Sequence, residues 1–210
     1  MQQNKMFNFD YSYLSLPDPF YSITETNLFP NPEAILINKK LCNTFNLLIN
    51  NEEDLANLLL VKSKLNTSFS QAYAGHQFGH FTKLGDGRAI IVGEHLTDDK
   101  QRFDVQLKGS GRTPYSRSGD GKATLKAMLR EYLISEAMHY LNIPSSRSLT
   151  VIKTGEKIYR QTIQEGAVLA RIMKSHIRIG TFEYASYYCS KDNLNTLTSY
   201  TIKRLYPEVN

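Results

Sequence analysis

A lysine ends an alternating segment of the chain, and glycine-rich turns lie on both sides of it. Phe103, Val105 and Leu107 alternate with polar residues, and Lys108 is followed directly by Gly-Ser-Gly. An ammonium group is a compact charge for phosphate, and glycine lets backbone N–H groups approach a ligand because it has no Cβ. The pattern therefore indicates a site for nucleotide phosphates, although a lysine before such a turn is also typical of a solvated strand edge.

Two groups of glycine and charged residues flank this lysine. Gly85, Gly87 and Arg88 precede it, and Asp120 and Gly121 follow it at the end of a long loop. An arginine supplies a planar fork that binds phosphate oxygens in pairs. None of these motifs is specific alone, but together they favour the nucleotide site over a plain strand edge.

The clearest helix follows the loop, over residues 122–141. Its apolar residues recur at spacings of three and four, and Asn142 and Pro144 end it. The stripe consists of Leu125, Met128, Leu129, Tyr132, Leu133, Ala137, Tyr140 and Leu141. In kinase-like folds a glutamate on this helix holds the strand lysine. Glu131 and Glu136 both lie on the helix; Glu131 is the choice, partly from its distance to the lysine and partly from the resemblance described below.

The remaining elements are short strands and two further helices. Alternation and β-branched runs predict strands at 89–94, 103–108, 149–153, 158–162 and 167–173, with turns at 97–101 and 154–157. The strand at 103–108 is expected to be half-buried, with Lys108 on its polar, solvated face. Residues 34–50 read as a strand and then a helix, and helices are expected at 51–60 and 193–205. The glycine-spaced segment 68–81 reads as a loop, and the aromatic segment 1–32 as an extended stretch packed on the body.

This order predicts an α+β fold, an antiparallel sheet with one prominent helix, as in a kinase-like amino-terminal lobe followed by the start of a helical second lobe. A Rossmann sheet would need helices between parallel strands, and a P-loop motif is not present in the sequence. The expected division is an amino-terminal extension with first elements over 1–65, a nucleotide-binding lobe over 66–184 and the beginning of a second lobe over 185–210.

Composition is that of a globular protein. The chain has 210 residues and a formal charge of +5, with no run of like charges, which suits an anionic ligand or plain solubility. No secretory signal and no apolar span of about 20 residues is seen. We therefore expect a cytoplasmic protein that binds neither nucleic acid nor membrane. Cys42 and Cys189 are expected to be reduced thiols, with a disulfide between them left open.

Other residue groups are weaker candidates. His76 and His80 have the spacing of two helical metal ligands, but the glycines beside them argue against a helix. His176 and Cys189 offer a nucleophile pair without a third group. Aromatic residues follow Arg178, and core packing is favoured over base stacking for them. This cluster consists of Phe182, Tyr184, Tyr187 and Tyr188. The loop hydroxyls, read as ordinary loop polarity rather than modification sites, are Ser110, Thr113, Tyr115, Ser116 and Ser118.

Four long runs resemble the selenoprotein-O family, also called SelO or YdiU: YAGHQFGHFTKLGDGRA, DVQLKGSGRTPYSRSGDGKA, LREYLISEAMHYL and GAVLARIMKSHIRIGTFEY. The likeness extends from about Tyr11 to Pro207. It implies a kinase-like fold and a protein adenylyltransferase. Such an enzyme binds ATP in an inverted orientation and transfers AMP to Ser, Thr or Tyr hydroxyls of protein substrates with Mg²⁺ or Mn²⁺.

The resemblance assigns roles to individual residues. It implies that Lys108 binds phosphate, that Glu131 pairs with this lysine, and that Arg171 and Arg178 hold phosphate in the inverted pose. It also implies nucleotide contacts for two turns, consisting of Gly85, Gly87, Arg88, Asp120 and Gly121. Without the resemblance, Arg171 reads more readily as a cross-strand ion-pair partner.

One part of the family pattern is missing from the sequence. The family's catalytic aspartate and its metal-binding asparagine and aspartate belong to the second lobe and match no residue of this chain. Nucleotidyl transfer depends on metal neutralisation and in-line positioning. We therefore expect the 210-residue chain by itself to have little or no transferase activity, with no catalytic and no metal-binding residue. The alternatives are a non-catalytic nucleotide-binding or interaction module and an inactive product of an interrupted gene.

Overall fold

A computed structural model describes residues 7–47, 49, 52–61 and 67–209. Within them the chain forms ten strands and five α-helices. The strands are β1 Phe9–Asp10, β2 Tyr21–Ile23, β3 Glu33–Ile37, β4 Phe69–Gln71, β5 Ala74–Gln77, β6 His80–Lys83, β7 Ala89–Leu96, β8 Arg102–Lys108, β9 Arg147–Tyr159 and β10 Ile163–Met173. The helices are α1 Lys39–Thr44, α2 Glu52–Val61, α3 Leu125–Tyr140, α4 Ile179–Tyr188 and α5 Lys191–Leu205. This is the predicted α+β fold.

Eight strands form one antiparallel sheet in the order β2-β4-β7-β8-β10-β9-β3, with β1 paired to β7. The lysine strand β8 lies between β7 and β10. Lys108 is opposite Ala89 on β7 and Leu169 on β10. The predicted turn at 97–101 joins β7 to β8, closed by the Thr97 N–H bond to the Gln101 carbonyl, 2.9 Å. The lysine is therefore held by paired strands on both sides.

Both faces of the sheet are covered, and this corrects one prediction. Val105 and Leu107 pack into the core with α1 and α2, as their alternation indicates. The opposite face carries Asp104 and Gln106, which are 2% and 0% exposed rather than solvated. Helices α3, α4 and α5 cover that face, so the polar face of β8 is buried as well.

Helix α3 begins three residues later than predicted. Residues 122 and 124 form bridges to Ser110 and Gly166, so the sheet uses their backbone groups before the helix starts at Leu125. The predicted stripe is only partly a packing face. Met128 is fully buried, but Leu133, Tyr140 and Leu141 are exposed. The buried carboxylate Glu136 belongs to the inner face instead.

The segment 68–81 is not a loop. It contains β4, β5 and the start of β6, and β5 and β6 form a separate two-stranded hairpin. Phe78 and Gly79 connect them with φ values of 54° and 80°. Positive φ at both central residues is the geometry of a type I′ hairpin turn. The glycines that suggested a loop therefore serve the hairpin.

The predicted strands 149–153 and 158–162 are one continuous strand, β9, and the expected turn at 154–157 is wrong. Gly155 lies inside β9 with φ of 76°, where the register with β10 shifts opposite Gly166. The turn comes later, at residues 160–162, closed by the Arg160 N–H bond to the Thr162 carbonyl, 3.1 Å. A β-bulge at Gly155 accommodates the positive φ, so strand β9 continues past the glycine instead of ending there.

The amino-terminal segment packs on the body as expected, where it is described. Tyr13 and Phe20 are buried against Phe69 and against Leu197 on α5. Some predicted residues lie outside the described part of the chain: 1–6 of the predicted amino-terminal segment, 48 and 50 of the segment 34–50, and 51 of the helix 51–60. The strand and helix expected in 34–50 and the helix at 193–205 are present as β3, α1 and α5.

A buried ionic cluster ties the first described segment to α5. Glu94 is 0% exposed and accepts hydrogen bonds from Ser12 Oγ at 2.6 Å and the Tyr13 N–H at 2.7 Å. Arg102 and Arg204 lie 2.7 and 3.2 Å from the same carboxylate.

No helix in the described part of the chain has the length and apolar character needed to cross a membrane.

Candidate nucleotide site

A cavity of about 760 Å³ opens where the carboxyl end of β8 meets the turn before β7 and the loop before α3. Its lining consists of Tyr73, Asp86, Gly87, Arg88, Ala89, Lys108, Ser116, Ser118, Gly119, Asp120, Gly121, Lys122, Arg160, Arg171 and Arg178. Six of these side chains are cationic and two are carboxylates. The excess of positive charge suits a polyanionic ligand.

Lys108 and Glu131 are brought together. The lysine Nζ is 2.7 Å from Glu131 Oε1 and 2.9 Å from Oε2, so α3 supplies the carboxylate that holds the strand lysine. Burial lowers the pKa of the Lys108 ammonium, Glu131 opposes that shift, and Arg171 adds to it. Glu131 fixes the lysine at the cavity wall without lining the cavity itself.

The other helix glutamate has a different role. Glu136 accepts hydrogen bonds from Arg147 at 3.0 and 2.7 Å, from the Ser148 N–H at 2.9 Å and from Asn38 at 2.7 Å. These bonds fasten the carboxyl-terminal half of α3 to β9. The structure therefore separates a lysine-pairing glutamate from a helix-anchoring one.

Arg171 extends from β10 toward the same carboxylate. Its Nη1 is 3.9 Å from Glu131 Oε2, and its Nη2 donates a hydrogen bond to Gln106 Oε1 on the neighbouring strand. Its buried Nε has no partner among the described residues. Burial lowers the pKa of Arg171, and Glu131 opposes the shift. The side chain is held mainly by a neutral amide, so its charge is available to a ligand.

Arg178 reaches the cavity from the residue before α4. Its Nη2 is 2.8 Å from Asp86 Oδ1, its Nη1 donates to Gln71 Oε1 at 3.3 Å, and its guanidinium lies 4.3 Å from the Tyr73 ring centre. Asp86, Gln71 and Tyr73 were not predicted as site residues from the sequence. The only signal was the position of Asp86 between Gly85 and Gly87.

Both predicted glycine turns are tight. Gly85 has φ of 105°, and a Cβ there would lie 2.4 Å from Tyr115 Cγ, so Gly85 supports the turn from outside the cavity. Gly121 has φ of 70°, and a Cβ would lie 1.9 Å from the Gly111 carbonyl oxygen. These positions combine a left-handed backbone with close packing, and only glycine meets both conditions.

Asp120 faces the cavity but is already paired. Its two carboxylate oxygens accept hydrogen bonds from Arg160, both at 2.9 Å, and these bonds are the main reason that its pKa lies below its ordinary value. Arg160 and Lys122 are cavity cations that sequence reasoning did not select. Arg160 comes from the turn between β9 and β10, which the sequence analysis misplaced.

The weaker candidates do not come together as a second site among the described residues. His76 and His80 lie on the strands of the β5–β6 hairpin, and no group of three potential metal ligands occurs among the described residues. His176 is buried against Asp104, and both cysteines are free thiols. Thr113 and Ser116 bind the carbonyls of Asp86 and Gly87, so these loop hydroxyls hold the turn.

The aromatic cluster after Arg178 is divided between core and surface. Phe182 and Tyr184 pack against the core that Ala185 and Leu197 form. Tyr187 is 72% exposed, with its ring centre 4.7 Å from that of Phe81 on the β5–β6 hairpin. None of these rings lines the cavity.

A central-strand lysine held by a helix glutamate, beside a glycine turn on an antiparallel sheet, is compatible with an α+β amino-terminal lobe of the kinase-like class. The sequence profile of the family described as Protein adenylyltransferase SelO matches residues 4–210, and the chain belongs to this family. This confirms the resemblance read from the four sequence runs.

Several relatives carry the name Protein nucleotidyltransferase YdiU. The protein from Shouchella clausii is 50% identical over 213 residues, which cover 100% of this chain and 44% of the relative. Those from Brevibacillus brevis and Pelagibacter ubique are 50% and 49% identical over 207 residues, covering 97% of this chain and 42% and 43% of their own lengths. The chain therefore spans less than half the length of these relatives.

Proposed function

We propose that this chain forms the ATP-binding part of a cytoplasmic protein nucleotidyltransferase that transfers AMP to Ser, Thr or Tyr hydroxyls of other proteins. The observation that carries the proposal is the convergence of Lys108 and Arg171 on Glu131, at the wall of a cavity lined by six cationic side chains. Membership of the adenylyltransferase family supplies the reaction class.

Three of the six cavity cations suit the β- and γ-phosphates of ATP. If Lys108, Arg171 and Arg178 hold these groups, the α-phosphate is left toward the cavity opening. A protein hydroxyl oxygen then forms a bond to the α-phosphorus, the bond from that phosphorus to the bridging oxygen breaks, and pyrophosphate leaves with the bonding electrons. The hydroxyl proton passes to a basic group outside the cavity lining, because both carboxylates of that lining are paired with arginines. The arginine and lysine charges stabilise the negative charge that develops on the leaving pyrophosphate.

The carboxylates of the cavity do not fit the Mg²⁺ or Mn²⁺ ion that the family implies. Asp86 is bound to Arg178 and Asp120 to Arg160, so each carboxylate already has a cationic partner. Magnesium is usually held by one or two carboxylates together with substrate phosphates. We propose that neither Asp86 nor Asp120 is a metal ligand or the base.

The same pairing favours one alternative, a non-catalytic nucleotide-binding module. Neither carboxylate lining the cavity is free to accept the proton of an incoming hydroxyl. We therefore propose that the 210-residue chain binds ATP but does not transfer AMP by itself. Incubation with α-labelled ATP, Mn²⁺ or Mg²⁺ and a mixture of proteins should leave the proteins unlabelled. Labelling that Lys108→Ala abolishes would show that the chain is catalytic.

Calorimetric titration with ATP tests the binding site. Lys108→Ala and Arg171→Ala each remove a charge-assisted contact and should weaken binding about 10- to 100-fold. Lys203 is an exposed lysine on α5 outside the cavity, so Lys203→Ala is the matched control and should bind ATP like the unaltered chain. Absence of ATP binding by the folded chain, or equal affinities for Lys108→Ala and Lys203→Ala, would contradict the proposed site.

A further inference from the structure

We infer that Asp86 is a positioning residue that fixes the Arg178 guanidinium for the triphosphate, an inference that rests on the proposed function. Asp86 stands between the two glycines of the turn before β7, and its side chain is 2% exposed. Its Oδ1 accepts a hydrogen bond from Arg178 Nη2 at 2.8 Å, and its Oδ2 accepts one from the Gln71 N–H at 3.2 Å. Both oxygens of a buried carboxylate are therefore committed to protein donors.

The turn that carries Asp86 is itself held rigidly. The Asp86 N–H donates to the Gln71 carbonyl at 2.9 Å, and the Asp86 carbonyl accepts from Thr113 Oγ1 at 2.7 Å. Strand β4 and the loop before α3 thus fix the backbone from two sides. The Asp86 carboxylate is therefore held in one orientation, and its hydrogen bond holds the Arg178 guanidinium in a fixed position in turn.

Arg178 is restrained by several contacts at once. An arginine has five N–H donors. Three of them are used by Asp86, by Gln71 Oε1 and by the His176 carbonyl at 3.1 Å. Tyr73 stacks on one face of the guanidinium at 4.3 Å. The two remaining N–H groups have no protein acceptor among the described residues, and the side chain is 32% exposed at the cavity.

This arrangement prepares Arg178 for an anion before the anion arrives. A free arginine side chain loses considerable rotational entropy when it binds, whereas a restrained one does not. Asp86 therefore improves triphosphate affinity although it carries negative charge. The rotational entropy that Arg178 no longer loses on binding outweighs the repulsion between the Asp86 carboxylate and the triphosphate. The same bond joins the glycine turn to the residue that precedes α4.

Titration of the whole chain with ATP and, separately, with inorganic triphosphate tests this role. Asp86→Asn should weaken binding of both ligands by about tenfold. The same change in an Arg178→Ala background should cause no further loss, because its effect passes through the arginine. The NMR signal of the Arg178 Nε–H should also show faster guanidinium motion in Asp86→Asn. A purely structural role predicts additive losses and unchanged Arg178 motion.

Two further results keep this inference separate from the proposed function. If Asp86→Asn does not fold, Gln71→Met removes a neutral hydrogen-bond acceptor of Arg178 and leaves the buried Asp86 carboxylate in place. It should cause a smaller loss of affinity for both ATP and inorganic triphosphate. Normal ATP affinity in a folded Asp86→Asn chain would overturn the positioning role and leave the proposed function intact. Binding of inorganic triphosphate that depends on Asp86, without binding of ATP, would overturn the proposed function alone.

Discussion

Arg204 on α5 forms an ion pair with Asp104 on β8, and their side chains are only 5% and 3% exposed. The arginine also donates to Tyr200 Oη at 2.8 Å and to the Lys174 carbonyl at 3.1 Å. The Asp104 carboxylate in turn binds the His176 N–H. The pair thereby joins the sheet, the segment before α4 and the last helix.

Removal of Arg204 should destabilise the chain strongly. Arg204→Met leaves Asp104 uncompensated in the interior and weakens the neutralisation of Glu94, and breaking a buried pair from one side costs about 3–5 kcal/mol. Urea unfolding followed by circular dichroism measures the change. Lys203→Ala, on the exposed side of the same helix, should change the free energy of unfolding by less than about 0.5 kcal/mol. Equal effects of the two substitutions would contradict a stabilising role for the pair.

Stability should fall as the pH drops below about 6.5. Burial lowers the pKa of His176 and of His95 from the ordinary value of 6.5, so the unfolded chain takes up protons before the folded chain does. Each histidine therefore contributes a loss of up to about 1.4 kcal/mol per pH unit between 6.5 and its folded pKa. Urea unfolding at pH 7.5, 6.5 and 5.5 measures this loss, and His176→Gln should make the dependence shallower.

A second acid-dependent loss should appear at lower pH. Although burial opposes it, the hydrogen bond from His176 and the charge of Arg204 hold the pKa of Asp104 below its ordinary value of 3.8. The stability from this carboxylate is present above the unfolded pKa and is lost as the pH falls through the folded pKa. Asp104→Asn should remove this step, and an unchanged acid transition in that variant would show that another group causes it.

A charge at position 106 should interfere with phosphate binding. Gln106 Oε1 accepts a hydrogen bond from Arg171 without neutralising it. Gln106 Oε1 already orients Arg171, and Glu131 is already beside it, so Gln106→Glu adds a negative charge without adding restraint. ATP affinity should therefore fall by at least about tenfold. Gln101→Glu makes the same change in the exposed turn before β8, and calorimetry should show ATP affinity unchanged. A folded Gln106→Glu chain with full affinity would exclude Arg171 from the phosphate site.

Two glycines with similar backbone angles should respond differently to alanine. Gly121 and Gly79 have φ of 70° and 80°, so the conformational penalty is matched. A Cβ at Gly121 would meet the Gly111 carbonyl at 1.9 Å, whereas one at Gly79 has no heavy atom within 4 Å. Gly121→Ala should therefore destabilise the chain by about 1–3 kcal/mol more than Gly79→Ala, measured by thermal unfolding. Similar losses would mean that the loop moves aside without cost.

Local signals in the sequence, together with the family resemblance, were sufficient to predict the pairing of Lys108 with Glu131. The alternation before Lys108, the loop and the helix are close in sequence, so Glu131 could be matched to Lys108 with help from the family resemblance. The glycine turns were also visible, because glycine marks tight backbone wherever it occurs. The same property made two predictions wrong. The glycines of 68–81 belong to a hairpin rather than a loop, and Gly155 in 154–157 belongs to a β-bulge rather than a turn between strands.

Contacts between distant residues could not be read in this way. Asp86 lies 92 positions from Arg178, and Asp104 lies 100 positions from Arg204. A single sequence shows no link between such residues. For the same reason the polar face of β8 was predicted to be solvated. The helices α4 and α5, which help to cover that face, come much later in the chain. The partners that orient the cavity arginines therefore became visible only in the folded chain.

The hydrogen bond of 2.8 Å between Ser12 and Tyr200 spans 188 positions, and it has a consequence for biosynthesis. During synthesis the residues around Glu94, which are Ser12 and Arg102, leave the ribosome well before Arg204. The Glu94 carboxylate can therefore pair with its second arginine, Arg204, only after α5 has emerged. Contacts of such long separation form late in folding. We expect ribosome-bound chains to remain protease-sensitive up to that point and to become resistant in one step. Resistance acquired before residue 200 has emerged would show that the sheet matures without α5.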